Sequence, residues 1–264
     1  MANESYALIT GGSSGLGTDF ARELAGRGYD LVLVARREDR LRALAAEIER
    51  DCGRHVEVVV ADLALDAERE RVAQTALALA KPVEVLVNNA GLGLYGRFHA
   101  IPWTKERQML DVDIEAVVHL TKLLTPAMIA RGNGYVLNVA SNGAYQPTPL
   151  YASYAAAKAF VLSFSQAINF EFRGTGVSVT VVSPGVTATE FLAVSKQRPT
   201  LYQRLLMGRS KTVVNKALKA MFARRPEIVP GAVNYALAMS GAVLPGSLKA
   251  RLAYFLMRSN EAEH

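Results

Sequence analysis

The sequence predicts an α/β fold: a single domain built on a doubly wound parallel sheet, with helices on both faces and a helical C-terminal region capping the substrate side. Three observations predict it. Strand-like apolar runs alternate with helix-spaced segments from Tyr6 to Ser183. Those runs are dominated by Val, Leu and Ile, as in strands buried on both faces, with few polar residues inside them. The chain has 264 residues, 50% hydrophobic and 20% charged, which suits one domain with a large core and excludes general disorder.

The elements follow in order. Tyr6–Thr10 is a short apolar run ending in glycines and reads as the first strand. Leu16–Arg27 has helical spacing. Asp30–Ala35 (DLVLVA) is a buried strand, and Glu38–Asp51 is a charged amphipathic helix. His55–Ala61 is a third strand, Ala67–Ala80 a helix, and Val83–Asn88 a fourth strand. One long helix is expected from about Thr104 to Arg131, then strand Tyr135–Ala140, helix Ser153–Arg173 and strand Val177–Ser183. After Glu190 the pattern loosens into helices, which should cap the carboxyl ends of the strands, where such sheets bind ligands. No repeat or linker divides the chain. Residues 1–264 are read as one domain, with 5–190 as the core and 191–264 as a substrate loop and C-terminal helices.

The only cysteine is Cys52, so no intramolecular disulfide forms and no paired-cysteine metal site exists. The four histidines are scattered, and no metal site is expected. The opening residues MANESYALITGG lack the basic segment and apolar run of a secretory signal, and a reducing, cytoplasmic compartment is expected. The net charge of +6 has an address: Lys196 to Arg225 holds nine basic residues and no acidic one. Such a block can attract an anionic partner or form a solvated helix face. Ile228–Leu248 carries no charged side chain, but its prolines and glycines interrupt a helix. Short packed helices are the first reading, peripheral membrane contact the second and a membrane span the last.

Strand Tyr6–Thr10 runs directly into Gly11-Gly12-Ser13-Ser14-Gly15-Leu16-Gly17 and then a helix. Glycine lets backbone approach a pyrophosphate, and a helix amino terminus offers free N–H groups to phosphate. A plain turn into a helix has the same look; the position after the first strand favours the phosphate reading. The second strand ends in Ala35-Arg36-Arg37. An acid there would bind a ribose 2′-hydroxyl; two guanidiniums suit a 2′-phosphate, or else are surface arginines opening a charged helix. NADP is therefore favoured over NAD. Asp62, after the third strand, can hydrogen-bond an adenine amino group or cap the next helix.

Tyr154 and Lys158 stand four residues apart, on one face of a helix. A free phenol is a poor base at neutral pH, and a neighbouring ammonium stabilises its phenolate. Ser141 ends a predicted strand, where it is either a turn residue or a second hydroxyl around the same carbonyl oxygen.

Together TGGSSGLG, Asn88-Asn89-Ala90-Gly91, Ser141, Tyr154xxxLys158 and Pro184-Gly185 occur in the order and spacing of the short-chain dehydrogenase/reductase family. The chain resembles that Rossmann-like family over about residues 5–190. NNAGLGLYGRFHAIPW and YAAAKAFVLSFSQAI look most like a bacterial branch of NADP-linked oxidoreductases. The resemblance implies that Tyr154 is the general acid or base, that Lys158 holds the nicotinamide ribose and lowers the tyrosine pKa, and that Ser141 hydrogen-bonds the substrate oxygen. It implies that Gly11, Ser13, Ser14, Gly15, Leu16 and Gly17 line the diphosphate. Asn89 and Gly91 would lie against the adenosine and ribose, Asp62, Leu63 and Ala90 would also bind the cofactor, and Pro184, Gly185, Thr187 and Thr189 would lie near the carboxamide. The family usually carries asparagine in a VN pair that relays protons to the lysine; here the pair is Val112-Asp113. A carboxylate only accepts hydrogen bonds, so Asp113 is either tolerated and strengthens Lys158, or lowers turnover. Asp111 reads as a helix-surface acid.

Leu94, Tyr95, Phe98, Tyr145, Phe191 and Leu192 flank the expected nicotinamide site and suit a bulky apolar carbonyl substrate, or are ordinary core. Trp103 reads as an anchor of the long helix. Val117, Leu120, Leu124, Phe160, Phe164 and Ile168 are candidates for the family's four-helix bundle, so a homodimer or homotetramer is expected, with some of these side chains facing the sheet. The leading expectation is an NADP(H)-dependent oxidoreductase. The alternative is a catalytically weak NADP-binding sensor. No stacked-aromatic or groove-reading motif supports nucleic-acid recognition.

Overall fold

The computed structural model describes residues 4–187, 200, 207–240 and 245–258. Seven strands are described: β1 (Tyr6–Thr10), β2 (Asp30–Ala35), β3 (Val56–Val60), β4 (Val83–Asn88), β5 (Gly134–Val139), β6 (Val177–Val182) and β7 (Glu227–Ile228). The helices are α1 (Leu16–Gly26), α2 (Glu38–Cys52), α3 (Asp66–Leu77), α4 (Trp103–Leu110), α5 (Ala116–Ala130), α6 (Ala152–Glu171), α7 (Ser210–Phe222), α8 (Ala232–Ser240) and α9 (Gly246–Met257).

The strands form one parallel sheet in the order β3-β2-β1-β4-β5-β6-β7. The chain starts in the middle and winds outward in both directions. The order reverses between β1 and β4, which opens a crevice at the carboxyl ends of the strands. Successive side chains point to opposite faces, and both faces are covered. Ile9, Leu31, Leu33, Val85 and Val87 pack against Phe20 and Leu24 of α1, Leu41 and Ile48 of α2, and Leu218 and Met221 of α7. Leu8, Val32, Val34, Leu86 and Val136 pack against Val72 of α3 and Leu120, Leu124 and Met128 of α5. This double burial is why the strands read as continuous apolar runs.

A buried polar ladder ties the centre of the sheet to two helices. Asn88 Nδ2 donates to Thr121 Oγ1 (3.0 Å) and to Asn138 Oδ1 (2.9 Å), and Asn138 Nδ2 donates to Ser165 Oγ (2.9 Å). Asn138→Ala removes the middle of the ladder and leaves a cavity. It is expected to lower stability by about 2–3 kcal/mol, read from urea unfolding. Unchanged stability would show that the ladder contributes nothing net.

Four sequence expectations are corrected here. The long helix is not continuous: Asp111–Glu115 form a π turn between α4 and α5. The contacts holding Asp113 there come from the 91–92 loop and α6, so helical periodicity alone does not show the break. Val117, Leu120 and Leu124 are buried among residues of the sheet, leaving Phe160 and Phe164 as a ring pair at 5.9 Å, with Phe160 exposed and Phe164 half-buried. Trp103, the first residue of α4, is 67% exposed rather than packed as an anchor would be. Asp111 is buried and takes a hydrogen bond from Arg107 Nε at 2.7 Å.

The described part of the basic block is mostly α7, whose Val214, Leu218 and Met221 are buried on the sheet. Arg224 donates to Gly176 O (2.9 Å) and lies over the Tyr135 ring; Lys196, Arg198 and Arg204 lie outside the described residues. Within Ile228–Leu248 the structure places α8 and the start of α9. No described helix is long and apolar enough to cross a membrane.

Candidate active site

The crevice at the sheet's reversal is one continuous cleft of about 450 Å³ that reaches from Arg36 and Arg37 to Ser141, Tyr154 and Lys158. Thr10, the last residue of β1, is buried just before the residues that line it. Its hydroxyl accepts from the N–H groups of Asn89 (2.9 Å) and Ala90 (3.0 Å), and Asn89 Nδ2 donates to Thr10 O (2.9 Å). These bonds stitch the end of β1 to the end of β4, so Asn89 serves the backbone rather than pointing freely into the cleft.

The glycine loop follows. Gly11 and Gly15 take φ of +68° and +58°, a region that costs other residues steric strain. A Cβ on Gly17 would sit 2.1 Å from Gly11 O. Gly15 precedes α1 with no side-chain cap, so the first-turn N–H groups are left for another acceptor. Gly11, Ser13, Ser14, Gly15 and Leu16 line the cleft, whereas Gly17 is buried behind them.

Arg37 reaches back to this loop: its Nε and Nη2 donate to Ser13 Oγ at 3.2 and 3.1 Å. Arg36 is exposed at the cleft edge. Asp62 also lines the cleft, but it does not cap α3, which starts at Asp66. Its Oδ1 accepts from Ala64 N (3.1 Å). Leu63, Ala90 and Gly91 line the same wall.

At the other end stand Ser141, Tyr154 and Lys158. Ser141 ends the β5 segment and caps a short turn, accepting from Gly143 N (3.2 Å). Tyr154 and Ser141 are hydrogen-bonded to each other. One helical turn on, Lys158 is buried; its Nζ donates to Val139 O (3.1 Å) and lies 3.0 Å from Asp113 Oδ2 and 5.7 Å from the Tyr154 ring centre. Asp113 is completely buried, and its Oδ1 accepts from Leu92 N at 2.6 Å. Burial pushes the Asp113 carboxyl above the usual range, opposed by Lys158 and the Leu92 N–H. Burial, and next the Asp113 charge, push the Tyr154 phenol well above its ordinary value, opposed by the Ser141 bond.

The substrate-side expectations fare differently. Tyr145 is corrected: its hydroxyl donates to Glu227 Oε1 and lies 3.2 Å from Ser183 Oγ, bracing β7. Burial and Glu227 raise its pKa. Phe98 and Tyr145 line a separate surface groove with Arg97 and His99, and Phe98 is 67% exposed. Leu94 is half-buried and lines neither cavity. The Tyr95 ring packs in a tilted contact at 5.2 Å on Tyr151, which packs likewise at 5.8 Å on Tyr154, and the Tyr95 hydroxyl donates to Met257 O (3.2 Å). Pro184, Gly185 and Thr187 line the cleft; Thr189, Phe191 and Leu192 lie outside the described residues.

Sequence reasoning missed Asn142, Tyr151, Asn234, Leu237 and Met257, all of which line the cleft. Tyr151 follows Leu150, which holds φ at +69° and accepts the Gly96 N–H through its carbonyl. Asn234, Leu237 and Met257 come from α8 and α9, far along the chain, and no local motif marks them. Among the described residues no group of three or more His, Cys, Asp or Glu side chains is placed to hold a metal.

The comparisons with known proteins agree with this geometry. The family model for short chain dehydrogenase matches residues 5–199. A very-long-chain 3-oxoacyl-CoA reductase of Pyrenophora tritici-repentis is 37% identical over 74% of this chain and 58% of its own length. Human 17-beta-hydroxysteroid dehydrogenase type 3 is 36% identical over 70% of this chain and 59% of its own length; the matched region thus spans about three-fifths of these relatives. A short-chain dehydrogenase from Sphingobium yanoikuyae, solved in complex with NADPH, superposes with a TM-score of 0.83 at 30% identity over 97% of both chains. Strand order, glycine loop and the Ser141, Tyr154 and Lys158 cluster thus accompany a match over most of the chain: the protein belongs to the short-chain dehydrogenase family.

Proposed function

We propose that this protein is an NADP(H)-dependent oxidoreductase that transfers hydride between the nicotinamide and a bulky, mostly apolar carbonyl or secondary alcohol. One observation carries the reading: the Ser141–Tyr154 hydroxyl pair shares one cleft with the glycine loop. The residues present fit the cofactor. The uncapped start of α1 and the loop N–H groups suit a diphosphate, and Arg36 and Arg37 suit a 2′-phosphate. When bound, NADPH supplies the hydride.

The chain's own residues handle the oxygen and the proton. In reduction, Tyr154 Oη gives its proton to the substrate oxygen. The Ser141 hydroxyl donates a hydrogen bond to the same oxygen as negative charge builds there. Lys158 is held toward the cleft by Val139 O and Asp113, where its ammonium can reach the cofactor ribose. Tyr151, Leu237 and Met257 give the substrate end an apolar wall. The names of the relatives, an oxoacyl-CoA reductase and a steroid dehydrogenase, support a large apolar substrate. Copies of the chain pair through α5 and α6, where Ile129, Phe160 and Phe170 are exposed.

The first test follows NADPH absorbance with purified protein across aldehydes, ketones, quinones and 3-oxoacyl thioesters. Turnover on bulky carbonyls supports the reading; NADPH binding without turnover on any of them argues for the sensor. Arg36 tests cofactor choice. Arg36→Ala is expected to raise the NADPH KM about tenfold while leaving NADH nearly unchanged, because it removes a charge-assisted bond only a 2′-phosphate makes. Equal effects on both cofactors would remove Arg36 from that role.

A further inference from the structure

We propose that Asp113 is a positioning residue that sets the pH range of the site: by opposing the charge of Lys158 it keeps Tyr154 protonated at neutral pH, so that the tyrosine acts as a base, and alcohol oxidation turns on, only in alkaline solution. This rests on the reading of Tyr154 as the proton-transferring group.

The argument starts from the donors around the carboxylate. Asp113 Oδ1 accepts from Leu92 N (2.6 Å), and Oδ2 faces Lys158 Nζ (3.0 Å). Only Oδ1 is hydrogen-bonded; Oδ2 is buried with no hydrogen bond and meets Lys158 as an ion pair, which opposes the burial that disfavours its charge. Both members of the pair are buried at the edge of the cleft. Asp113 is 0% and Lys158 4% exposed, and a Cβ on Gly91 would lie 3.2 Å from both Asp113 Oδ2 and Lys158 Nζ. Burial weakens screening, and at Tyr154 the Asp113 charge disfavours the phenolate and opposes the help of the Lys158 ammonium.

Two of the remaining carboxylates nearby are paired elsewhere. On the π turn and α4, Asp111 is paired with Arg107 at 2.7 Å and Glu115 with Arg69 at 3.3 Å. Glu106, also on α4, is buried with its Oε2 unpartnered and is the one nearby carboxylate not engaged in this way. The 91–92 loop presents only backbone to Asp113, and α6 presents Lys158. From β5 the site receives Val139 O on Lys158, and after β5 the Ser141 hydroxyl on Tyr154. Asp113 and Lys158 are the charges that bear on the state of the phenol.

The direction follows from the sign. A lone ammonium favours the phenolate and lets the tyrosine act as a base near neutral pH. An ammonium cancelled by a carboxylate does not. Burial then favours the neutral phenol, which is the form needed to protonate a carbonyl oxygen. The π turn that brings Asp113 to Lys158 is thus part of the catalytic arrangement rather than an irregularity of the helix.

The experiment is a pair of pH–rate profiles, alcohol oxidation with NADP⁺ and carbonyl reduction with NADPH, for wild type and Asp113→Asn. In Asp113→Asn the amide oxygen can still accept the Leu92 N–H, but the negative charge is gone. The expected result is that the basic limb of wild-type oxidation lies above about pH 9 and moves down by about one unit or more in the variant. Below the limb, its oxidation kcat as a fraction of its own alkaline plateau is then about tenfold that of wild type. An unmoved limb in a folded, active variant overturns the proposal. If the variant fails to fold, wild type alone decides: an oxidation limb below about pH 8 overturns it, and one above about pH 9 supports it. A wild type that turns over no carbonyl at all sinks the oxidoreductase reading, and this proposal with it, whereas an unmoved limb with intact turnover sinks this proposal alone.

Discussion

Tyr154→Phe is expected to lower carbonyl reduction by about 10²- to 10⁴-fold while NADPH affinity stays within about twofold. The ring itself packs on Tyr151, and phenylalanine keeps that contact. The change removes one hydroxyl, the group paired with Ser141. The effect should fall on kcat rather than on cofactor binding, because the lost proton transfer belongs to the reaction and not to the resting complex. Stopped-flow or steady-state NADPH absorbance gives the rate, and quenching of protein fluorescence by NADPH gives the affinity. A variant that keeps more than about a tenth of wild-type kcat would remove Tyr154 from the role of proton donor.

Gly17→Ala is expected to be the most damaging small substitution near the cleft. The added Cβ would stand 2.1 Å from Gly11 O and 2.8 Å from Asn89 Nδ2. Neither neighbour yields easily. Gly11 is already at φ +68°, and Asn89 Nδ2 holds Thr10 O at 2.9 Å. One extra methyl therefore displaces the whole phosphate loop, at a cost of about 1–3 kcal/mol in stability and about 100-fold in NADPH affinity. Gly26→Ala, in the last turn of the same helix, is the control. A Cβ there meets nothing within 4 Å, and alanine favours the helix by about 0.5–1 kcal/mol. Equal NADPH affinity in both variants would show that the tight packing at Gly17 does not govern the cofactor site.

These two residues also show why much of the site is legible in the amino-acid sequence. Gly17 lies in a loop whose glycines, spacing and position after a strand all belong to one short stretch. Tyr154 and Lys158 lie on one helix turn, so their proximity follows from helical geometry alone. The substrate end is not legible in the same way. Tyr145 lies close in sequence to Ser141 and Tyr154 and is aromatic, yet its hydroxyl is taken by Glu227, a residue eighty-two positions away. Tyr95 reads as a direct contact from its position in the chain and is instead separated from Tyr154 by the ring of Tyr151.

The sequence by itself determined the parallel sheet, the succession of its first six strands along the chain, the phosphate loop and the tyrosine–lysine turn. Each of these is written in local periodicity or in a contiguous motif, and local backbone geometry follows from neighbouring residues. Only the tertiary structure decided that Val117, Leu120 and Leu124 face the sheet, that Asn234, Leu237 and Met257 wall the cleft, and that Asp113 sits on a π turn with Lys158 at 3.0 Å. Those facts depend on which elements pack against one another across long stretches of chain. A buried charge pair is settled by the burial and donors around it, and these come from the loop after β4, the π turn and α6 together.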